Sequence, residues 1–246
     1  MLKVRRAPVA AAKGRRTLRR GDRVDQAYDQ LRELIVSGRL APGARVIETD
    51  VALRMGVSRT PARAALHRLQ QEGYIVGSGR RQQQRLSVAP LTKEDARELF
   101  DIVGEVEGLG ARRSALLAES VRAQVVRELS GINQSLAKAA MPARRDHREI
   151  FDLDQAFHRR YVEAGAGPRL LALHSSIKPQ SERYVRLYIS ALVDEIGTSV
   201  REHEDIVSAI RRGDADAAQH AVQTNWRNAA DRLNRVIDSM GERGAW

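Results

Sequence analysis

Two groups of side chains in this sequence have types and spacings that can do chemistry. Asp154 and His158 stand at i and i+4 in a stretch of helical periodicity, so both leave one face of one helix. A carboxylate and an imidazole so placed can share a metal ion with groups from neighbouring helices. The second group is rich in arginine. The run GSGRRQQQRLSV, Gly77 to Val88, separates two strand-like pieces, and a hairpin tip carrying Gly79, Arg80, Arg81 and Arg85 can approach a duplex closely and offer guanidinium groups to phosphates or the minor groove.

The elements that must position the arginines lie just upstream. Thr49 is a candidate N-cap for a short helix from Asp50 to Met55, and Gly56 supplies the residue that can adopt positive φ where that helix stops. Ser58 then caps a second helix from Arg59 to about Glu72, with Leu66 and Leu69 inward, and Gly73 ends it before the strand-like Tyr74-Ile75-Val76. Helix, turn, helix and strand is the order of a winged helix-turn-helix. Val24, Ala27, Leu31, Leu34 and Ile35 predict an earlier helix closed by Gly38. A turn at Leu40-Ala41-Pro42-Gly43 and a short extended Arg45-Val46-Ile47 follow.

Ala89-Pro90-Leu91 marks a domain boundary, and beyond it the periodicity is helical. Thr92 with Asp95 opens a long helix whose apolar stripe reads Leu99, Ile102, Val106, Leu109, Leu116. Further helices are expected at about 120–140, 146–163, 169–176, 180–192, 199–212 and 215–240, with Met141-Pro142, Gly165 to Pro168, Pro179 and Gly213-Asp214 as breaks. The expected fold is mainly α, an N-terminal winged helix-turn-helix followed by an all-α bundle. Residues 1–20 form a basic arm, expected to be disordered, 21–90 the DNA-binding domain, and 91–246 the effector-binding and dimerisation domain.

Charge supports this division. The chain of 246 residues carries a net +11, yet residues 1–90 alone hold +12 and residues 91–246 hold −1. The excess positive charge sits with the helix-turn-helix, as expected if that half meets phosphates. No cysteine is present, which excludes disulfides and thiolate metal sites. No apolar run approaches the roughly 20 residues that span a bilayer. A cytoplasmic protein without a membrane partner is the expectation.

The run GVSRTPARAALHRLQQEGYIV, Gly56 to Val76, resembles the DNA-binding domain of GntR-type bacterial transcription regulators, and Ser37-Gly38-Arg39-Leu40-Ala41-Pro42-Gly43 fits that family's turn. The helical half is similar to the FCD ligand-binding domain of the FadR-like subgroup, through Leu99-Phe100-Asp101-Ile102, Asp154-Gln155-Ala156-Phe157-His158, Glu202-His203 and Gly213-Asp214. The resemblance implies that Ser58, Arg59, Thr60 and Arg63 contact DNA. Their chemistry agrees, since two arginines can reach guanine edges or phosphates and two hydroxyls at a helix N-terminus suit phosphate. It also implies that Asp154 and His158 are joined in a zinc or nickel site by His203 and by a further histidine whose position here is Asn225. An amide oxygen is a weaker ligand than imidazole for either ion, so a water or ligand oxygen is expected to complete the shell. His220 is no substitute, being turned roughly 140° away around the helix.

The subgroup's arginine for a ligand carboxylate falls on Val103, in Val103-Gly104-Glu105-Val106-Glu107, so a carboxylate effector must use other cations. Arg183 and Arg186 with Tyr184 are the candidates. The functional expectation is a ligand-responsive regulator, not an enzyme, binding a palindromic double-stranded operator as a homodimer, with a small organic-acid effector and a divalent metal in the bundle. Two alternatives stand beside it. One is a metal-dependent hydrolase with Glu202 or Glu204 as base, fused to a DNA-binding anchor. The other is a sequence-tolerant architectural DNA binder.

Overall fold

A computed structural model describes residues 20–79 and 85–244 of the chain. The N-terminal unit contains α1 (Arg20–Val36), β1 (Arg45–Val46), α2 (Glu48–Met55), α3 (Arg59–Gln71), β2 (Ile75–Ser78) and β3 (Arg85–Val88). The strands form an antiparallel sheet in the order β1-β3-β2, with Ile75 opposite Val88 and Arg45 opposite Ser87. Ala27, Leu31 and Ile35 of α1 meet Ala62, Leu66 and Leu69 of α3 and Ile75 and Val88 of the sheet in one apolar core. The helix-turn-helix joint works as the sequence predicts. Gly56 takes φ +66 at the end of α2, a left-handed conformation that a Cβ would disfavour. The start of α2 differs: the helix begins at Glu48, Ile47 occupies the cap position without a side-chain bond, and the Thr49 hydroxyl turns to Asp50.

The bundle comprises α4 (Lys93–Ala115), α5 (Glu119–Ala139), α6 (His147–Gly165), α7 (Pro168–Leu192), α8 (Ile196–Arg212) and α9 (Ala215–Met240). Thr92 caps α4 by accepting from the Asp95 amide, as its spacing requires. The buried face of α4 is not the expected stripe. Leu99 and Val106 are inside, but Ile102, Leu109 and Leu116 are exposed, and Phe100, Val103, Glu107, Gly110 and Ala111 are buried instead. The cause is the small residues. α4 packs against α6, α7 and α9 at once, and a Cβ on Gly104 would lie 3.0 Å from Trp226 Cβ. Backbones approach where glycines sit, so the inward face is not the one with the largest side chains. At the end of α6, a Cβ on Gly165 would lie only 2.3 Å from the Gly110 carbonyl oxygen, which explains a glycine that the sequence marks only as a helix breaker.

Pro179 does not divide α7 into two helices. One helix of 25 residues runs through it. Proline removes the amide that would bond the carbonyl four residues earlier, that of Ser175, and this carbonyl instead accepts from Arg32 Nη2 of α1 at 3.0 Å. The partner of this carbonyl thus comes from the DNA-binding domain.

Candidate functional site

On α3 the buried positions Pro61, Ala62, Ala65, Leu66 and Leu69 fall at helical spacing and face the core. The opposite face presents Ser58, Arg59, Thr60 and Arg63, all exposed, with His67 exposed one turn beyond. Ser58 occupies the N-cap position with extended backbone and makes no cap bond, which leaves its hydroxyl at the open end of the helix. Both arginines converge on Glu48 at the start of α2. Arg63 Nε donates to Glu48 Oε2 at 2.7 Å and its Nη2 to Oε1 at 3.1 Å, while Arg59 Nε donates to Oε1 at 3.1 Å. The Arg63 bonds hold the Glu48 carboxyl below its ordinary range. One acid therefore orients two guanidinium groups on the exposed face, and both arginine side chains remain about two-thirds exposed. Gly79, with φ +97, follows β2, whereas Arg80, Arg81 and residues 1–19 of the basic arm lie outside the described residues.

In the bundle, α6 and α8 bring Asp154, His158 and His203 together, with one ligand-capable atom from each within 4.8 Å of the others. His158 Nδ1 lies 2.7 Å from Glu107 Oε2. Glu107 is fully buried, and burial opposes its charge, but Lys178 at 3.0 Å, His158 and His174 hold its carboxyl well below the usual range. An ionised carboxylate only accepts, so His158 donates from Nδ1 to Glu107, which leaves Nε2 as its ligand-capable nitrogen. His203 is fixed in the same sense. Asn133 Nδ2 donates to the Val200 carbonyl, so its Oδ1 accepts from His203 Nδ1 at 3.0 Å. His203 Nε2 is buried without a hydrogen-bond partner and stands 3.7 Å from Asp154 Oδ1. Burial, then the neighbouring His158 and Arg232, push the His203 pKa well below its ordinary value, so the ring is neutral. Two imidazoles gathered beside one carboxylate, one of them with an orphaned buried nitrogen, fit a divalent cation.

Asn225 does not replace the missing imidazole directly. Its Nδ2 donates to Glu202 Oε2 at 2.8 Å, in a cluster where Glu202 also accepts from Asn228 and from both terminal nitrogens of Arg232. Glu202 thus has both oxygens engaged, and Glu204 is exposed, so neither acid named for the hydrolase reading is held free beside the cluster. A cavity of about 70 Å³ is lined by two of the three ligand candidates, Asp154 and His158, with Gln155, Ser199, Asn225 and Arg232 also at its polar side. Phe100, Ile150, Phe151, Ile189, Leu192 and Leu233 contribute apolar walls.

The expected carboxylate binders are placed elsewhere. Arg183 is buried with Nη2 donating to the Ala89 carbonyl at 2.7 Å, and Tyr184 donates to Asp95 while accepting from the Thr92 amide. Both tie α7 to the domain boundary. Arg186 lies over the Phe151 ring at 4.1 Å and does not line the cavity. The cation that lines it is Arg232, which the sequence does not single out, and Val103 is simply core. Glu107, His174 and Lys178 also escaped the sequence reading. Their signal was present: position 107 continues the small-residue face of α4, and 174 and 178 are one turn apart.

α7 links these regions. His174 and Lys178 reach Glu107 behind the ligand candidates, Ile189 and Leu192 line the cavity, and Ser175 on the intervening turn receives Arg32. Arg32 in turn donates from Nε to the Tyr74 hydroxyl between α3 and β2.

Known proteins place this geometry in a family. The chain is 29% identical over 213 residues, 85% of its length and 84% of the other's, to an HTH-type transcriptional regulator in unstable DNA locus of Streptomyces ambofaciens. It is 27% identical over 212 residues, 86% of its length and 89% of the other's, to the HTH-type transcriptional repressor RspR of Escherichia coli strain K12. The solved structure of E. coli McbR/YncC shares the fold with a TM-score of 0.66 at 20% identity, over 87% of this chain and 97% of that one. Residues 23–85 match the bacterial regulatory proteins of the gntR family, and residues 98–228, more than half of the chain, match the FCD domain. The chain is therefore a GntR-family transcription regulator whose helical half is an FCD domain.

Proposed function

We propose that the protein is a ligand-responsive regulator that binds a palindromic operator as a homodimer. Ser58, Arg59, Thr60 and Arg63 read or anchor the duplex, with Gly79, Arg80 and Arg81 of the wing beside them. Asp154, His158 and His203 hold a zinc- or nickel-type ion, with Asn225 nearby, and a small organic acid completes the ion's shell from the adjoining cavity. The observation that carries the effector reading is the buried, unpartnered His203 Nε2 facing Asp154, which itself lines that cavity. When bound, the ion supplies Lewis acidity toward an anionic oxygen. The chain's own part is to orient both imidazoles through Glu107 and Asn133.

The link to DNA runs through α7, one turn of which touches both the Glu107 cluster and Arg32. A shift of α7 on effector binding changes the seat of α1 and α3, which is the differential contact that coupling requires. A gel shift with the DNA flanking the protein's own coding region, in excess non-specific competitor, tests the first part. Equal affinity for all duplexes would favour the architectural reading instead. Adding zinc or nickel to chelated protein tests the second part; melting temperature rises with metal, and no shift at saturation would exclude the site.

A further inference from the structure

Three lysine or arginine side chains are buried among the described residues, Lys178, Arg183 and Arg232, and one of them lacks an acid. Lys178 lies 3.0 Å from Glu107 and Arg232 lies 2.9 Å from Glu202. Arg183 is buried as deeply, at 5% exposure, but its hydrogen bond runs from Nη2 to the neutral Ala89 carbonyl. Burial pulls its pKa below the ordinary arginine value, and Tyr184, Asp95 and Tyr74 offset this only in part. The Asp95 carboxylate accepts from the Tyr184 hydroxyl instead of pairing with Arg183. A guanidinium keeps its charge in a protein, and a buried charge without a counterion is costly.

The missing partner is an anion, and there is an open place for one. Arg183 lines a cleft at the seam of the two domains, with Ile35, Gly38 and Pro42 of the DNA-binding domain on one side and Leu91, Arg186 and Leu187 on the other. Among the described residues no acid lines this cleft. Arg186 likewise has no ion pair among them, and its guanidinium rests on the Phe151 ring.

We propose that this cleft binds a small oxyanion, a carboxylate or a phosphate, paired with Arg183 through the nitrogens not bonded to Ala89 and supported by Arg186 at the rim. A planar guanidinium presents parallel N–H donors that match either group. The site is separate from the Asp154 cluster, needs no metal and does not rest on the effector reading above. Its occupant touches α1 and the following turn on one side and α7 on the other, so the two domains share one ligand.

Metal-free full-length protein, in chloride buffer of constant ionic strength, is titrated separately with inorganic phosphate and with acetate, following melting temperature and heat of binding. Saturable binding of one anion per chain is expected, with a rise in melting temperature, and the tighter of the two names the source. In Arg183→Met, which keeps the bulk of the side chain without its charge, affinity is expected to fall by about ten-fold or more. Leu187→Glu places a tethered carboxylate one helical turn from Arg183. That variant is expected to melt higher than the wild type without added anion and to lose the anion response. The exposed Arg159→Met is the control and keeps the response. Absence of saturable binding by the wild type would overturn the proposal. Equal binding in the wild type, Arg183→Met and Leu187→Glu would overturn it too, leaving an adventitious ion only. If Arg183→Met fails to fold, Leu187→Glu decides alone.

Discussion

Two carboxylates in this protein each gather several basic side chains, and they do so in opposite settings. Glu48 holds Arg59 and Arg63 on the surface of the helix-turn-helix, while Glu107 holds His158, His174 and Lys178 in the sealed centre of the bundle. The contacts look alike in distance, but water separates their consequences. On the surface the pairs are screened by water and salt, so Arg59 and Arg63 are oriented yet free to exchange Glu48 for another anion. Inside, the same pairing cannot be exchanged, because removing one partner leaves charge stranded in an apolar setting. The surface acid suits a reader that must let go, and the buried acid suits a scaffold that must hold two imidazoles still.

The sharpest way to break this contrast is Glu107→Ala. Loss of the buried acid is expected to destabilise the protein by about 3–5 kcal/mol in denaturant unfolding. In Glu107→Gln, which keeps the shape, metal affinity is expected to fall by about 10–100-fold, since His158 loses the group that orients it. A melting temperature and a metal affinity both unchanged in Glu107→Gln would mean that the acid neither stabilises nor orients.

On the other side of the comparison, Arg63→Ala is expected to cost about 1–3 kcal/mol of specific operator affinity with little change in stability. Unchanged discrimination between operator and random duplex would remove Arg63 from the reading face.

The connection between the two regions is tested by Pro179→Ala. A restored amide at 179 competes with Arg32 for the Ser175 carbonyl, so the influence of metal and effector on DNA affinity is expected to weaken by about 0.5–2 kcal/mol. Metal binding itself should not change. Full coupling in this variant, and in Arg32→Gln, would show that α7 does not carry the signal through this contact.

The smallest effect is expected at Glu48. Its carboxyl lies below the ordinary range because of Arg63, so its contribution is present above the unfolded carboxylate value and fades as pH falls through the lower folded value. Glu48→Gln should therefore flatten the acid side of the operator-binding profile while leaving neutral-pH stability within about 1 kcal/mol. A wild-type acid limb that persists unaltered in Glu48→Gln would assign it to another group.

What could be read without coordinates follows from the range over which each feature is decided. Gly56, the Ser58 position and the inward Ala62, Leu66 and Leu69 are local, set by backbone freedom and helix period, so the helix-turn-helix was legible almost to the residue. Asp154 and His158 were legible for the same reason, being one turn apart. By contrast, the buried face of α4 depends on which neighbours approach its glycines, so the stripe of large residues misled by about one position. The carbonyl that Pro179 frees in α7 is taken up by an arginine 143 positions away, which no local rule supplies.

The sequence by itself determined the two-domain plan, the basic DNA-facing half, the recognition helix and the pairing of Asp154 with His158, because charge segregation and helical period are properties of the chain alone. Only the tertiary structure decided that Glu107 and Asn133 aim the imidazoles, that Arg232 and not Arg183 or Arg186 faces the cavity, and that Arg32 meets the carbonyl freed by Pro179. Those contacts join residues far apart in the chain, and their energies arise from burial and desolvation, which exist only once the helices have packed.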